Sequence, residues 1–266
     1  MSTNYIVACW SGLRRVNPER VVREREIFVK RHLESLQNLK HSLDQVTFVF
    51  SKNPDEPESF RKFRATIPDR VGPAKVVLMD RPNVGYSYGA YNDVFKAYGK
   101  SFDHYLLMED DYCFLKDDFD AQMHAKLAAD EKCGMVTFVL ENGTREAMVG
   151  RATKEAPGGI DVGNLFAKYC PDKFQWPRVM LGLTRADALQ GILDHFGELP
   201  HAKGTNHTEC KFLGQFSLPI VLQKLGWKVF DMLPDVRVEA FGPGGEKLCY
   251  GPRLAPLFVT STQFLL

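Results

Sequence analysis

Short apolar runs alternate with amphipathic stretches along the first half of the chain. Runs rich in β-branched and aromatic residues predict buried strands, and apolar positions three or four residues apart predict helices. The predicted strands are residues 5–10, 45–50, 75–79, 104–108 and 134–140, and the predicted helices are 18–43, 87–98 and 119–129. Strands that alternate with helices predict an α/β fold with a parallel, doubly wound sheet.

The second half of the chain has a looser pattern. Residues 141–173 are rich in glycine and polar residues, and helical periodicity returns at 185–196 and 209–225. A last strand is predicted at 227–232, followed by a Gly/Pro-rich loop at 241–252 and an apolar tail at 254–266. The length of 266 residues fits one large domain, or one domain with a small annex.

Composition narrows the classes of function. Lys and Arg total 34 against 33 Asp and Glu, so a nucleic-acid partner, which calls for a basic excess, is not expected. An apolar fraction of 44% argues against disorder. We see no transmembrane segment and no signal peptide, and the six cysteines are scattered without a CxxC pair. We therefore expect a reduced, cytoplasmic protein.

The acidic run Glu109-Asp110-Asp111 follows the predicted strand 104–108. Ligands of open α/β sheets bind beyond the carboxyl ends of the strands. In an extended chain Glu109 and Asp111 would project together and Asp110 to the other side, and two such carboxylates suit Mg²⁺ or Mn²⁺. Acid pairs two residues apart number roughly four by chance, so a solvated turn with a helix-capping aspartate is the alternative.

A turn that contains glycine and asparagine follows the strand 75–79. Asn83 and Gly85 tolerate left-handed backbone angles, and Ser87 is placed to cap the next helix and leave backbone N–H groups for an anion. Gly89 permits a close approach to a ligand or a neighbouring strand. The segment is not GxGxxG, so a plain strand–turn–helix remains the alternative.

Together these segments resemble a glycosyltransferase of the GT-A fold, similar to glycosyltransferase family 2. The resemblance rests on Asn83-Val84-Gly85 with Gly89, and on Leu106-Leu107-Met108 running into the acidic run; it covers about residues 4–141. A fainter likeness lies in Gly182–Asp187 and in the closing segment 219–229. The resemblance implies a mixed, mainly parallel sheet and a single domain with a nucleotide-sugar-binding half (1–141), an acceptor-side half (142–240) and a C-terminal loop and tail (241–266).

The resemblance also implies a function: a metal-dependent transfer of sugar from a nucleotide-diphosphate sugar to a glycan, protein or small-molecule acceptor. Asp111 would be the main metal ligand, helped by Glu109, with Mn²⁺ or Mg²⁺ as cofactor through a DXD-type motif. The implied nucleotide-sugar contacts are Cys9, Trp10, Ser11, Ser51, Lys52, Arg81, Asn83, Gly85, Glu109 and Asp110. Trp10 would lie against the base or, alternatively, pack in the core. The apolar tail leaves a homo-oligomer possible.

The sequence departs from the family pattern at four points, one of which is a turn one residue longer than is usual before Asn92. Ser51-Lys52-Asn53 stands where the family has an acidic base-binding motif, the first acid of the metal motif is Glu109, and Gly214-Gln215 occupies the place of the usual Glu-Asp pair. The candidates for the catalytic base are then Glu209, Asp161 and His207, in that order. A surface or capping role is the alternative for each of them.

Other roles are open for the second half of the chain. His201, His207 and Glu209 form an alternative metal set, although their spacing matches no standard motif. Lys247 and Arg253 would close over a diphosphate if the C-terminal loop acts as a lid. Two other functions are also open: a nucleotidyltransferase of related fold, and a nucleotide- or sugar-binding module without catalysis.

Overall fold

The computed structural model describes residues 1–9, 18–52, 58–110, 112–114, 116–138, 140–147, 149–150, 171–177, 182–203, 214, 217–232 and 238–239. In these ranges the strands are β1 (Thr3–Cys9), β2 (Gln45–Lys52), β3 (Arg70–Val71), β4 (Ala74–Pro82), β5 (His104–Glu109), β6 (Cys113–Phe114), β7 (Cys133–Thr137), β8 (Leu140–Thr144), β9 (Lys173–Pro177), β10 (Gly182–Arg185), β11 (Lys228–Asp231) and β12 (Val238–Glu239). The helices are α1 (Pro18–Asn38), α2 (Glu58–Arg64), α3 (Tyr86–Tyr98), α4 (Phe119–Ala128), α5 (Ala186–Phe196) and α6 (Ser217–Lys224), with a 3-10 turn at Gly99–Ser101. None of the helices in these ranges is both long enough and apolar enough to span a membrane.

Eight of the described strands form one mixed sheet in the order β11-β7-β10-β5-β1-β2-β4-β3. Strand β1 pairs in parallel with β2 on one side and with β5 on the other, and β2 continues in parallel to β4. Strand β10 runs antiparallel between β5 and β7, and the short β3 runs antiparallel at the edge. The predicted fold class, a mainly parallel central sheet flanked by helices, is confirmed.

Helices cover both faces of this sheet. Side chains from α1, α2 and α4 pack with Tyr5, Val7 and Phe48 on one face. Helices α3, α5 and α6 pack on the other face with Ile6, Val49 and further strand residues. Because both faces are covered, β1 is buried along its whole length, and its near-continuous apolar sequence follows from that position.

Two strands extend further than their sequences predict. Strand β4 was expected to end at Met79 but runs to Pro82, because Asp80, Arg81 and Pro82 stay in register beside Phe50–Lys52 of β2. Strand β5 likewise includes Glu109, which pairs with Ala8. The polar residues Asp80, Arg81 and Glu109, which were expected to follow the strands, therefore belong to the paired strands themselves.

The sequence did not predict the strands that follow β7. The predicted strand 134–140 ends at Thr137, and a separate antiparallel hairpin of β8 and β9 begins at Leu140. The sequence predicted no strand at Gly182–Arg185, only a helix that begins at Arg185, yet β10 is inserted there between β5 and β7. Its glycine, Gly182, has φ +95°, and a Cβ atom there would lie 2.2 Å from the carbonyl oxygen of Val136. Only glycine fits this approach to β7.

Two histidines pack against each other at the amino end of the sheet. The rings of His104, at the start of β5, and His124, on α4, lie 4.7 Å apart in an edge-to-face arrangement. His104 is 3% exposed, and the Nε2 atom of His124 lies 2.9 Å from the hydroxyl of Thr3. Burial, followed by the nearby His124 and Arg185, lowers the pKa of His104 to about 4.

This histidine makes stability depend on pH. Since the folded-state pKa of His104 lies below the unfolded value of 6.5, the unfolded chain binds more protons at pH 5, and stability is lost as the pH falls. Between pH 7 and pH 5 this one group removes about 2 kcal/mol from the free energy of unfolding. We expect His104→Gln to reduce the pH dependence measured by urea unfolding by about this amount. His195→Gln, at an exposed position, is the control; an unchanged slope for His104→Gln would contradict the prediction.

Candidate functional site

The carboxyl ends of four parallel strands meet at one edge of the sheet. These ends are Cys9 of β1, Lys52 of β2, Pro82 of β4 and Glu109 of β5. The chain leaves β1 toward β2 on one side, whereas β5 lies on the opposite side of β1. Neighbouring strands that lead away in opposite directions open a crevice at their carboxyl ends, which is where ligands bind in such sheets.

Glu109 and Ser87 meet beside this crevice. The hydroxyl of Ser87 donates to Oε1 of Glu109 at 2.6 Å, and both side chains are half-buried. Ser87 is the second residue of α3, so this contact joins the end of β5 to the amino end of a helix on the adjacent face. Ser87 was expected to cap α3; instead Gly85 is the N-cap residue, and no side chain caps the helix.

The turn that opens α3 has an unusual backbone. Gly85 has φ 71° and Tyr86 has φ 49°, and a positive φ at a bulky residue such as Tyr86 is a strained conformation. A Cβ atom on Gly85 would lie 2.0 Å from the carbonyl oxygen of Ala202. The segment around Ala202 is held in place from α3, where Oδ1 of Asn92 accepts a hydrogen bond from the backbone N–H of Leu199 at 3.0 Å.

A buried arginine at the end of β4 hydrogen-bonds to the same turn. The Nε atom of Arg81 donates to Asp93 at 2.7 Å, and its Nη2 atom donates to the carbonyl oxygen of Val84 at 2.6 Å. Arg81 is 7% exposed, and a Cβ atom at Gly89 would lie 2.3 Å from its Nη2 atom. Gly89 therefore makes room for the guanidinium rather than for a ligand. The sequence predicted that Arg81 contacts the nucleotide. In the structure Arg81 binds Asp93 and the turn, and a contact with a nucleotide stays a prediction.

The acidic run is held from the opposite face of the sheet. The Nε2 atom of His32, on α1, lies 3.0 Å from the backbone oxygen of Asp110, and its Nδ1 atom lies 3.1 Å from the hydroxyl of Tyr5. Because a carbonyl oxygen only accepts, Nε2 carries the proton and Nδ1 accepts from Tyr5. Burial lowers the pKa of His32 to about 4, so the ring is neutral at neutral pH.

A second bond from α1 holds the chain just beyond the acidic run. The hydroxyl of Ser35 donates to the carbonyl oxygen of Phe114 at 2.5 Å. His32 and Ser35 are three residues apart and lie on one face of the helix. Helix α1 thus fixes the backbone on both sides of Asp111.

The remaining predicted residues divide into those that the structure describes and those that it does not. Cys9 and Ser51 are buried at the strand ends, with exposures of 1% and 3%. Both amide atoms of Asn83 are buried, and among the described residues they have no hydrogen-bond partner. The backbone of Lys52 is described but its side chain is not, and Trp10, Ser11, Asp111, Asp161, His207, Glu209, Lys247 and Arg253 lie outside the described residues.

Two acidic side chains of the predicted metal motif, Glu109 and Asp110, are described at this edge. Glu109 presents a carboxylate, and Asp110 is 8% exposed. No group of three His, Cys, Asp or Glu side chains that could hold a metal ion occurs within the described ranges. Mg²⁺ is often held by one or two carboxylates together with phosphate oxygens and water, so the donor chemistry of Glu109 fits such an ion.

Sequence reasoning missed the residues that support this edge. His32 lies in the predicted helix 18–43, where its position next to apolar residues gave no sign of a partner 78 residues away. Asp93 and Asn92 look like ordinary helix residues. Only the pairing of distant segments shows that Asp93 holds Arg81 and that Asn92 holds Leu199.

The chain matches no protein-family model and no curated protein. Among solved structures it is similar to a 4-diphosphocytidyl-2C-methyl-D-erythritol synthase, with 13% identity, a TM-score of 0.42, and coverage of 94% of this chain and 93% of that chain. It is similar to a cytidylyltransferase from Leptospira borgpetersenii, with 12% identity, a TM-score of 0.45, and coverage of 88% and 76%. A CMP:2-keto-3-deoxy-manno-octonic acid synthetase complexed with CTP shows 10% identity, a TM-score of 0.45, and coverage of 87% and 90%.

These comparisons correct the functional expectation drawn from the sequence. The named structures are cytidylyltransferases and related synthetases, and none of them is a glycosyltransferase of family 2. The expectation of a sugar transferase was therefore wrong. At identities of 10–14%, the likeness concerns the α/β architecture.

We expect Gly89→Ala to destabilise the turn. The added methyl group would meet the Arg81 guanidinium and, at 2.1 Å, the carbonyl oxygen of Val84, so a loss of about 2 kcal/mol in the free energy of unfolding follows. Gly191→Ala is the matched control, because it is also a helical glycine but has only one atom, 3.9 Å away, near its Cβ position. That control should be neutral or stabilising by up to about 1 kcal/mol. Equal effects in urea unfolding would contradict the packing argument.

We expect His32→Leu to lower the free energy of unfolding by about 3 kcal/mol, since it leaves the hydroxyl of Tyr5 and the carbonyl of Asp110 buried without this partner. Tyr5→Phe removes one bond only and should cost about 1–2 kcal/mol. Urea unfolding at pH 7 measures both. Because the two bonds share the imidazole, the double variant should lose less than the sum of the single losses. If the losses of the two single variants added up exactly in the double variant, the two hydrogen bonds of His32 would be independent, which would contradict this prediction.

Proposed function

We propose that the chain is a nucleotidyltransferase, which binds a nucleoside triphosphate at the carboxyl edge of the sheet and transfers its nucleotidyl group to an acceptor. This function was the alternative left open by the sequence. The observation that carries the proposal is the contact between Glu109 and Ser87 beside the crevice between β1 and β5. A carboxylate and a helix amino end are brought together where the strand order reverses.

The amino end of α3 suits phosphate groups. The first backbone N–H groups of a helix have no partner within the helix, and the helix dipole places partial positive charge there. Helix α3 has 13 residues and no side-chain cap on these groups. The strained turn at Gly85 and Tyr86 is a further sign of a functional segment, since such conformations collect at binding sites.

The proposed cofactor is Mg²⁺ or Mn²⁺. Glu109, with Asp111, would hold the ion, and Asn83 would offer its amide to the nucleotide. A bound divalent ion would neutralise charge on the departing pyrophosphate. On the protein side, the hydrogen bond from Ser87 orients the Glu109 carboxylate, and the bonds of Arg81 fix the turn that precedes α3.

The proposed reaction is a displacement at phosphorus. An acceptor oxygen forms a bond to the α-phosphorus, the bond from that phosphorus to the α–β bridging oxygen breaks, and pyrophosphate leaves. The acceptor proton passes to a base, for which Glu209, then Asp161, then His207 stay the predicted residues. We propose that the nucleoside contacts the ends of β1 and β2, where Cys9 and Ser51 lie.

Binding of nucleoside triphosphates tests the proposal. Calorimetry with CTP, ATP, GTP or UTP should detect Mg²⁺-dependent binding of at least one triphosphate, and pyrophosphate release should follow when an acceptor panel is added. CTP is tested first, since one named neighbour was solved with CTP. Glu109→Gln should weaken the Mg²⁺-dependent binding about tenfold, or about 1.4 kcal/mol.

Glu131→Gln is the control, because Glu131 is an exposed carboxylate before β7, away from the carboxyl edge. It should leave the affinity unchanged. Failure of all four triphosphates to bind in the presence of Mg²⁺, or equal affinity for Glu109→Gln and the unaltered protein, would overturn the proposal. Binding without pyrophosphate release from any acceptor would instead favour the non-catalytic nucleotide-binding module.

A further inference from the structure

The β8–β9 hairpin has two unlike faces. Asn142 pairs with Gln175 and Thr144 pairs with Lys173, and because side chains alternate along a strand these four share one face. The other face carries Phe174 and Trp176, which are 4% and 7% exposed. Because the aromatic face is buried, the polar face is the one that is open to a ligand.

A cleft of about 450 Å³ lies along this hairpin. The described residues that line it are the four polar residues, Gly143 and Phe174 between them, and Gln223 of α6. The side-chain amide of Gln223 donates to the backbone oxygen of Gln175 at 3.2 Å, which ties the helix to the strand. The volume falls within the range of about 300–1,000 Å³ that small-molecule sites occupy.

The lining has a definite chemistry. Three amide side chains, Asn142, Gln175 and Gln223, each carry both a donor and an acceptor. The Nε2 atom of Gln175 lies 3.5 Å from Oδ1 of Asn142, so these two amides stand side by side across the strands. Adjacent hydroxyl groups, which both donate and accept, match such a row. Among the described lining residues, Lys173 carries the one positive charge, at one end of the row.

The hairpin begins at the same edge of the sheet as Glu109. Strand β7 is antiparallel to β10, which is antiparallel to β5, so Thr137 and Glu109 end strands that run in the same direction. One strand separates them, which corresponds to a lateral distance of roughly 10 Å. The residues that line the cleft are nevertheless different from those of the candidate nucleotide site.

We propose that this cleft binds a monosaccharide-sized polyol that carries one anionic group, with the hydroxyls on the amide row and the anion near Lys173. The proposal does not depend on nucleotide binding. Either a carboxylate or a phosphate supplies the required charge, and the probes below distinguish them.

Calorimetry with glucuronate, glucose 6-phosphate and glucose tests the proposal. We expect both anionic sugars to bind at least fivefold more tightly than glucose, and the tighter of the two identifies carboxylate or phosphate as the preferred anion. Lys173→Met should remove this preference without changing the affinity for glucose. Lys62→Met, on the exposed surface of α2, should leave the preference intact.

The amide row is tested separately. Gln175→Leu should weaken the binding of all three sugars about five- to tenfold, whereas Gln190→Leu, which removes an amide on α5, should have no effect. Thermal unfolding confirms that each variant is folded, and amide NMR shifts of Gly143 and the Asn142 side chain report binding at the cleft.

Absence of binding by all three sugars at 10 mM, on the order of the weakest specific contacts, would overturn the proposal. Equal affinity for glucose and the anionic sugars, or shifts confined to other residues, would also overturn it.

Discussion

The complete burial of strand β1 is the constraint on which the rest of the structure depends. A strand in this position needs partners on both edges and helices on both faces, since an unpaired backbone group in the core is costly. β2 and β5 supply the edges. Parallel pairing on both sides then forces three strand ends to one edge, and it is this arrangement, more than any single residue, that creates a crevice there.

The candidate site is supported from both faces of that sheet. On one face, Arg81 and Gly89 shape the turn that brings Ser87 to Glu109. On the other face, a fully buried chain from Tyr5 through His32 holds the backbone at Asp110. In the proposed site, half-buried side chains would carry the chemistry, while buried groups hold the backbone around them. This arrangement places acidic side chains at the edge of a sheet whose interior is apolar.

Much of the architecture could be predicted from the sequence, because strands buried on both faces leave continuous apolar runs and the helices leave a regular period. What failed were features that arise between distant segments. Gly182–Arg185 is too short to show a strand pattern, and nothing local indicates that it would enter the sheet between β5 and β7. At the site, the sequence singled out Glu109, which the structure places at the end of β5 and whose role stays a prediction. Ser87 looked like a cap and Arg81 like a ligand contact. Both found partners within the protein that only the folded chain brings near.

The late insertion of β10 has a consequence for synthesis of the chain. Strands β5 and β7 are complete by Thr137, yet the strand that joins them begins at Gly182. Until β10 and β11 have been synthesised, one edge of β5 and both edges of β7 have no partner strand. Exposed edges of this kind template intermolecular pairing. Nascent chains of this protein would therefore carry strand edges open to such pairing from the completion of β7 until the later strands are made.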